Sequence, residues 1–208
     1  MLFRSVIRNA LEFIRESKGI DLDINNLPLD DEETYKLLMK AETDGVFQLE
    51  SSGMKDIMVS MKPDCIEDVI ALIALYRPGP MKMVPEYISR KQGKTKVVYE
   101  LPQLEPILKE TYGIILYQEQ VMQIANVIGG YTMAQADSLR KVMGKKLTAD
   151  MEKEKPKFLE GAKNQKIDEN KAKIIWDQME EFALYGFNKS HSARSEERRV
   201  GKECRSRW

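Results

Sequence analysis

Cations recur along one stretch of this chain at spacings that can hold a polyanion. In residues 129–146, GGYTMAQADSLRKVMGKK, Arg140 and Lys141 precede Lys145 by about one helical turn. Ala136, Leu139, Val142 and Met143 recur at helical spacing, so the stretch reads as a helix with a core-facing stripe and a flank of cations. Thr132, just after Gly129-Gly130, reads as its N-cap. Guanidinium forks and ammonium point charges both suit a triphosphate. The plainer reading is a solvated helix end whose cations complement the macrodipole, with Asp137 pairing back to Arg140 or Lys141. Another cation, Arg77, leaves a helix in Tyr76-Arg77-Pro78-Gly79-Pro80. Proline disfavours the helical conformation at Arg77, so a stiff turn presents that side chain beside an aromatic, and the alternative is a surface turn without a ligand. A third group, Arg90, Lys91, Lys94 and Lys96 around Gly93, is the patch most like a DNA-backbone contact, or else a solvated charge run.

Other chemistries find little support. Asp21 and Asp23 at i, i+2 would face one way on a strand, as a two-metal site needs, but nothing nearby joins them. Cys65 and Cys204 are too few for a disulfide framework or a zinc site, and with a single His no metal ligands are assigned. His191 lies between Ser190 and Ser192, but the sequence ties no acid to them as a triad needs, so no triad is read there. GxxxxGK[ST], GxGxxG, HExxH and GxSxG are all absent; Gly144-Lys145 has neither the upstream Gly nor the following Ser or Thr.

The elements that must position these cations read as mainly α, with one or two short strands. An amphipathic helix is expected over 6–17 with Ile7, Ala10, Leu11 and Ile14 on one face, stopped by Gly19. Residues 20–29 read as extended linker. Asp30 or Asp31 caps the next helix, through Lys40, with Glu32 and Glu33 in its first turn. Ser51-Ser52-Gly53 opens another helix through Met61, either as a cap or as an anion-binding entry. Asp64 and Glu67 resemble a capping box, followed by a buried face of Ile66, Val69, Ile70, Ile73 and Ala74. β-Branched content predicts a strand over 112–117, leading into a helix over 118–128. A polar helix containing Pro156 is expected over 150–164, then one capped by Asp168 and bearing Ile174, Ile175, Met179 and Phe182, then an aromatic and polar turn over 185–192.

Composition describes a globular chain of 208 residues, 42% hydrophobic and 32% charged. No apolar run approaches the ~20 residues of a spanning helix, and Arg8, Glu12 and Arg15 interrupt any secretory signal, so a cytoplasmic location and no membrane partner are expected. The balance of 33 basic and 33 acidic residues conceals a break. Residues 194–208, RSEERRVGKECRSRW, take six of the basic and three of the acidic ones, leaving a slightly acidic body of 27 against 30. Nucleic-acid contact must therefore come from local patches.

Five stretches in fixed order, VFQLESSGMKD, DVIALIALYRPGPM, YGIILYQEQVMQIA, SLRKVMGKK and YGFNKSHSA, resemble the C-family replicative DNA polymerases of bacteria, the DNA polymerase III alpha subunits. The likeness covers about 6–193. It implies the helical fingers domain of such a polymerase, truncated at both ends: 1–5 a non-native leader, 6–29 the end of the palm and a linker, 30–193 the fingers, and 194–208 a non-native basic tail. It also implies a DNA-directed DNA polymerase whose catalytic aspartates and two Mg²⁺ belong to a palm preceding this segment. Catalytic residues and bound cofactors are then expected to be absent from this fragment, which would be inactive by itself.

Carried over residue by residue, the likeness makes Arg77, Arg140, Lys141, Lys145, Lys146, Asn188, Lys189, Ser190 and His191 nucleotide-site candidates. The cations would meet the β- and γ-phosphates, the polar groups the phosphate or sugar. Implied partners are template-primer DNA, dNTP and the other subunits of the replicative holoenzyme. The chain departs from the family after Ala193, where an apolar helical stretch is replaced by the basic tail, and before Val6, where MLFRS stands in place of a palm strand. The alternative is a free-standing helical nucleic-acid-binding module without catalysis, using residues 90–96 and the 133–146 helix.

Overall fold

The computed structural model describes residues 2–24, 26–144, 148–183 and 186–193, so Lys145, Lys146 and the whole 194–208 tail lie outside it. The main helices, in chain order, are α1 (Leu2–Lys18), α2 (Glu32–Met39), α3 (Ser52–Met61), α4 (Ile66–Leu75), α5 (Val84–Lys91), α6 (Glu105–Leu108), α7 (Gln118–Val127), α8 (Met133–Gly144), α9 (Thr148–Asn164), α10 (Glu169–Ala183) and α11 (Lys189–Ala193). The helical class is as expected. No described helix is long and apolar enough to cross a membrane.

Local chemistry accounts for several helix starts. The Thr34 N–H donates to Asp31 Oδ2 at 3.1 Å, fixing the first turn of α2, and the Thr34 hydroxyl and amide hold the Asp31 carboxyl below its ordinary value. At α8 the Gln135 N–H donates to Thr132 Oγ1 at 3.3 Å while Gln135 Oε1 accepts from the Thr132 N–H at 2.8 Å, a reciprocal capping box. Asp168 Oδ1 takes the Lys171 N–H at 3.0 Å ahead of α10. Two starts differ from expectation. Ser51 makes no side-chain cap bond at α3, and the carboxylate that reaches back at α4 is Asp68, accepting the Asp64 N–H at 3.2 Å, rather than Glu67. Helix α1 begins at Leu2, so residues 2–5 continue into it.

Two hydrophobic cores sit side by side. The first gathers Tyr35, Leu38, Met58, Met61, Leu72, Leu75 and Tyr87 from α2–α5, together with Phe187. The second gathers Leu104, Ile124, Ile128, Leu139, Phe158, Ile175, Trp176 and Met179 from 101–183. Segment 112–117 is the wall between them. Ile114 and Leu116 enter the first core and Ile115 the second, alternating as on a strand, but Tyr117 breaks the alternation by entering the first core beside Leu116.

It is not a strand. Among the described residues the only β pairing is a single parallel bridge between Tyr117 and Phe187. Side chains satisfy the backbone instead. Gln120 Oε1 accepts the N–H groups of Leu116 and Tyr117 at 2.9 and 3.1 Å, and Thr111 Oγ1 donates to the Ile114 carbonyl at 2.6 Å. Buried β-branched residues met the polar requirement without a ladder, which is why their composition misleads.

Helical faces rotate slightly from the expected ones. The fully buried face of α4 is Asp68, Ala71, Leu72, Ala74 and Leu75, with Ile66, Val69, Ile70 and Ile73 half-buried beside it. Along α10, Ile174 is 43% exposed while Trp176, one position outside the expected set, is fully buried. Helix α9 runs through Pro156 and packs on the turn between α7 and α8 at glycines: a Cβ on Gly161 would lie 1.8 Å from the Gly129 carbonyl oxygen.

Gly161→Ala reads this approach directly. In a free helix interior the change would add about 1 kcal/mol of stability. Here the methyl must push α9 off the turn, and a net loss of about 1–3 kcal/mol is expected. Thermal unfolding measures it, and a raised Tm would show that α9 stands clear of Gly129.

Candidate functional site

Three elements distant in sequence meet at the turn before α11. Arg77 follows the last turn of α4, its N–H donating to the Leu75 carbonyl at 2.8 Å, and Pro80 then opens a single 3₁₀ turn, Pro80–Met83. The Arg77 guanidinium lies 4.2 Å from the centroid of the Phe187 ring, a cation–π contact. Partial burial lowers its pKa, yet a guanidinium stays charged. The Phe187 carbonyl accepts the Gln118 N–H at 2.7 Å, at the first residue of α7. The Gln118 side chain donates from Nε2 to the Gly186 carbonyl at 3.2 Å and accepts at Oε1 from Arg140 Nη1 at 3.4 Å. Arg77, the 186–191 turn, α7 and α8 are thereby joined in one chain of contacts.

Carboxylates hold three of the candidate cations. Arg140 Nε and Nη2 each lie 2.9 Å from Asp137 Oδ1, and Lys141 Nζ lies 2.8 Å from Asp137 Oδ2. Lys141 first, then Arg140, hold the Asp137 carboxyl below its ordinary value. Lys189 Nζ pairs with Glu110 at 2.6 Å and lies 5.5 Å from the Tyr117 ring centroid, while its backbone N–H donates to Glu119 Oε2 at 3.0 Å. Asn188 Oδ1 accepts both the Ser190 hydroxyl and the His191 N–H, capping α11, and the His191 ring meets Phe187 edge-on at 6.1 Å. The pairing of Asp137 with Arg140 and Lys141 is the one the sequence offered. Glu110, Gln118, Glu119 and Phe187 were not among the expected site residues, since nothing in the sequence pairs Gln118, Glu119 and Glu110 with cations 22, 70 and 79 residues away, or Phe187 with Arg77.

The other basic patch divides. Arg90 donates Nη1 to the Tyr112 carbonyl at 2.9 Å and pairs with Glu86 through Nη2, while its Nε is buried without a hydrogen-bond partner. Lys91 is 7% exposed and lies 2.7 Å from both Asp64 and Asp68, the latter 1% exposed. These two cations face inward, which corrects the expectation of a four-residue surface patch; of the four, Lys94 and Lys96 are exposed.

The Lys91 ammonium also settles the character of Asp64, Cys65 and Asp68, whose ligand atoms lie within 4.8 Å of one another. Burial alone would lower the Lys91 pKa, but the bonds from Asp64 and Asp68 outweigh it and raise it. Burial pushes the Cys65 thiol up to about 12. A cation already bridges both carboxylates, so the cluster as it stands is occupied by an ammonium and does not fit a metal.

Fold and contacts together define a helical module in which a chain of contacts links cations from separate segments. The chain belongs to the bacterial DNA polymerase III alpha subunit finger domain family, which residues 4–166 match. It is 54% identical over 200 residues to the DNA polymerase III subunit alpha of Pseudomonas aeruginosa, covering 91% of this chain and 17% of that protein. It is 51% identical over 183 residues to the Aquifex aeolicus subunit (87% of this chain, 16% of that one) and 50% identical over 200 residues to that of Escherichia coli K12 (91% and 17%). The chain thus spans about a sixth of the length of these relatives.

Proposed function

We propose that residues 30–193 are the fingers of a bacterial replicative DNA-directed DNA polymerase, and that Arg77, Arg140, Lys141 and Lys189 bind the triphosphate of the incoming dNTP. The observation carrying this reading is the chain of contacts from Arg77 through Phe187 and Gln118 to Arg140, which converges cations from three segments. Asp137 and Glu110 neutralise Arg140, Lys141 and Lys189 here, and a triphosphate would take over those positions with more charge. Asn188, Ser190 and His191 build the turn that presents Lys189, with their polar groups near phosphate or sugar; Lys145 and Lys146, outside the described residues, are candidates by the resemblance alone. The family resemblance assigns Mg²⁺ to palm carboxylates of the parent chain; in this chain the Asp64–Cys65–Asp68 cluster holds an ammonium. Template-primer DNA, holoenzyme subunits and a cytoplasmic place of action follow from the same reading. The test is steady-state dNTP kinetics of the full-length parent carrying Arg140→Ala; unchanged nucleotide kinetics would overturn the assignment.

DNA contact, on this reading, belongs to the exposed pair. The Lys94→Ala, Lys96→Ala double variant of the parent is expected to bind primer-template more weakly, with the salt slope reduced by about one for each phosphate no longer neutralised. Equilibrium binding across a salt series checks it. An unchanged slope would remove this loop from the DNA interface.

A further inference from the structure

Among the described residues, Gln118 is the one whose side chain bonds both the 186–191 turn and Arg140. Its amide can satisfy both neighbours in one orientation: the NH₂ must face the Gly186 carbonyl, and the carbonyl oxygen must face the Arg140 guanidinium. Its backbone N–H adds a 2.7 Å bond to the Phe187 carbonyl, and the next residue, Glu119, takes the Lys189 N–H at 3.0 Å. The start of α7 therefore grips the turn at Gly186, Phe187 and Lys189. Gly186 leaves the necessary room, since a Cβ there would approach Gln118 Nε2 to 3.1 Å. Arg140, in turn, has two kinds of partner. Asp137 on its own helix holds Nε and Nη2, whereas Gln118 reaches Nη1 from another element. A neutral acceptor orients a guanidinium without competing strongly with an anion for it, which a carboxylate in the same place would do.

We propose that Gln118 is a positioning residue of the nucleotide site, which aims Arg140 and fixes its register against the turn carrying Phe187 and Lys189. The inference rests on the nucleotide-binding reading given above and adds a neutral residue through which that site acts.

The test uses the full-length parent polymerase with dATP as the varied substrate. Gln118→Ala is expected to raise the KM for dATP about tenfold, the size expected of neighbours in one hydrogen-bond network, with primer-template affinity and Tm unchanged. Gln118→Glu, equal in shape, is expected to raise KM at least as far, because the carboxylate cannot donate to the Gly186 carbonyl and holds Arg140 against the phosphates. In an Arg140→Ala background either change should add less than about twofold, since Gln118 acts through that side chain. A silent Gln118→Glu, or full additivity with Arg140→Ala, would overturn the positioning role while leaving the nucleotide site intact. If Arg140→Ala itself leaves the KM for dATP unchanged, the nucleotide-binding reading fails, and this inference with it.

Discussion

Lys91→Ala is expected to cost the fold about 3–5 kcal/mol, because it leaves the Asp68 carboxylate buried without its counter-charge. Asp68 would keep the Asp64 N–H at 3.2 Å and the Tyr87 hydroxyl at 3.4 Å, both neutral donors. The loss should be measurable as a lower denaturant midpoint, while any change in DNA affinity follows from unfolding. Adding Asp68→Asn should recover part of the loss, since the second change removes the charge the first one strands. A variant that unfolds like the parent chain but binds DNA more weakly would reinstate Lys91 as a surface contact.

The same cluster sets a pH window. The Lys91 pKa is raised, so its contribution is fully present below the unfolded lysine value of about 10.4 and is lost as pH climbs through the folded value. The hydrogen bond from Lys91 lowers the pKa of Asp64, so that contribution is present above the unfolded value of about 4 and is lost as pH falls. Stability from this cluster should therefore hold between those limits and decline on both sides.

How far the sequence could be read depended on how local each partner was. Asp31 to Thr34, Thr132 to Gln135 and Asp137 to Lys141 are pairs within one turn, and their residue types announce them. Lys91 and Asp64 are 27 residues apart, and a basic run carries no sign of which members turn inward. The 112–117 segment shows the same limit from the other side. Its β-branched content was legible, but whether its backbone would meet another strand or the side chains of Thr111 and Gln120 depended on tertiary neighbours. The candidate site followed suit: its cations stood out in the sequence, whereas Gln118, Glu110 and Glu119, which hold them in place, are ordinary polar residues until the fold brings them together.

Arg140→Ala tests whether those cations serve the nucleotide. In the full-length parent it is expected to lower kcat/KM for dNTP by about 10²–10³, the effect of removing one preorganised charged donor, on the order of 2–4 kcal/mol. Primer-template affinity should be nearly unchanged. The magnitude follows from surroundings as much as from charge. Arg140 is part-buried and fixed from two elements, by Asp137 and by Gln118, so little ordering remains when a phosphate replaces the carboxylate. Lys141 is 62% exposed and pairs within its own helix, so Lys141→Ala should change nucleotide kinetics by less than about 1 kcal/mol. Unfolding midpoints of both variants separate a missing phosphate donor from a loosened helix, a control Arg140 needs because it flanks the stripe of Ala136, Leu139 and Met143 through which α8 packs. Weakened DNA binding with unaltered nucleotide kinetics would instead make α8 a clamp on the DNA backbone and overturn the triphosphate assignment.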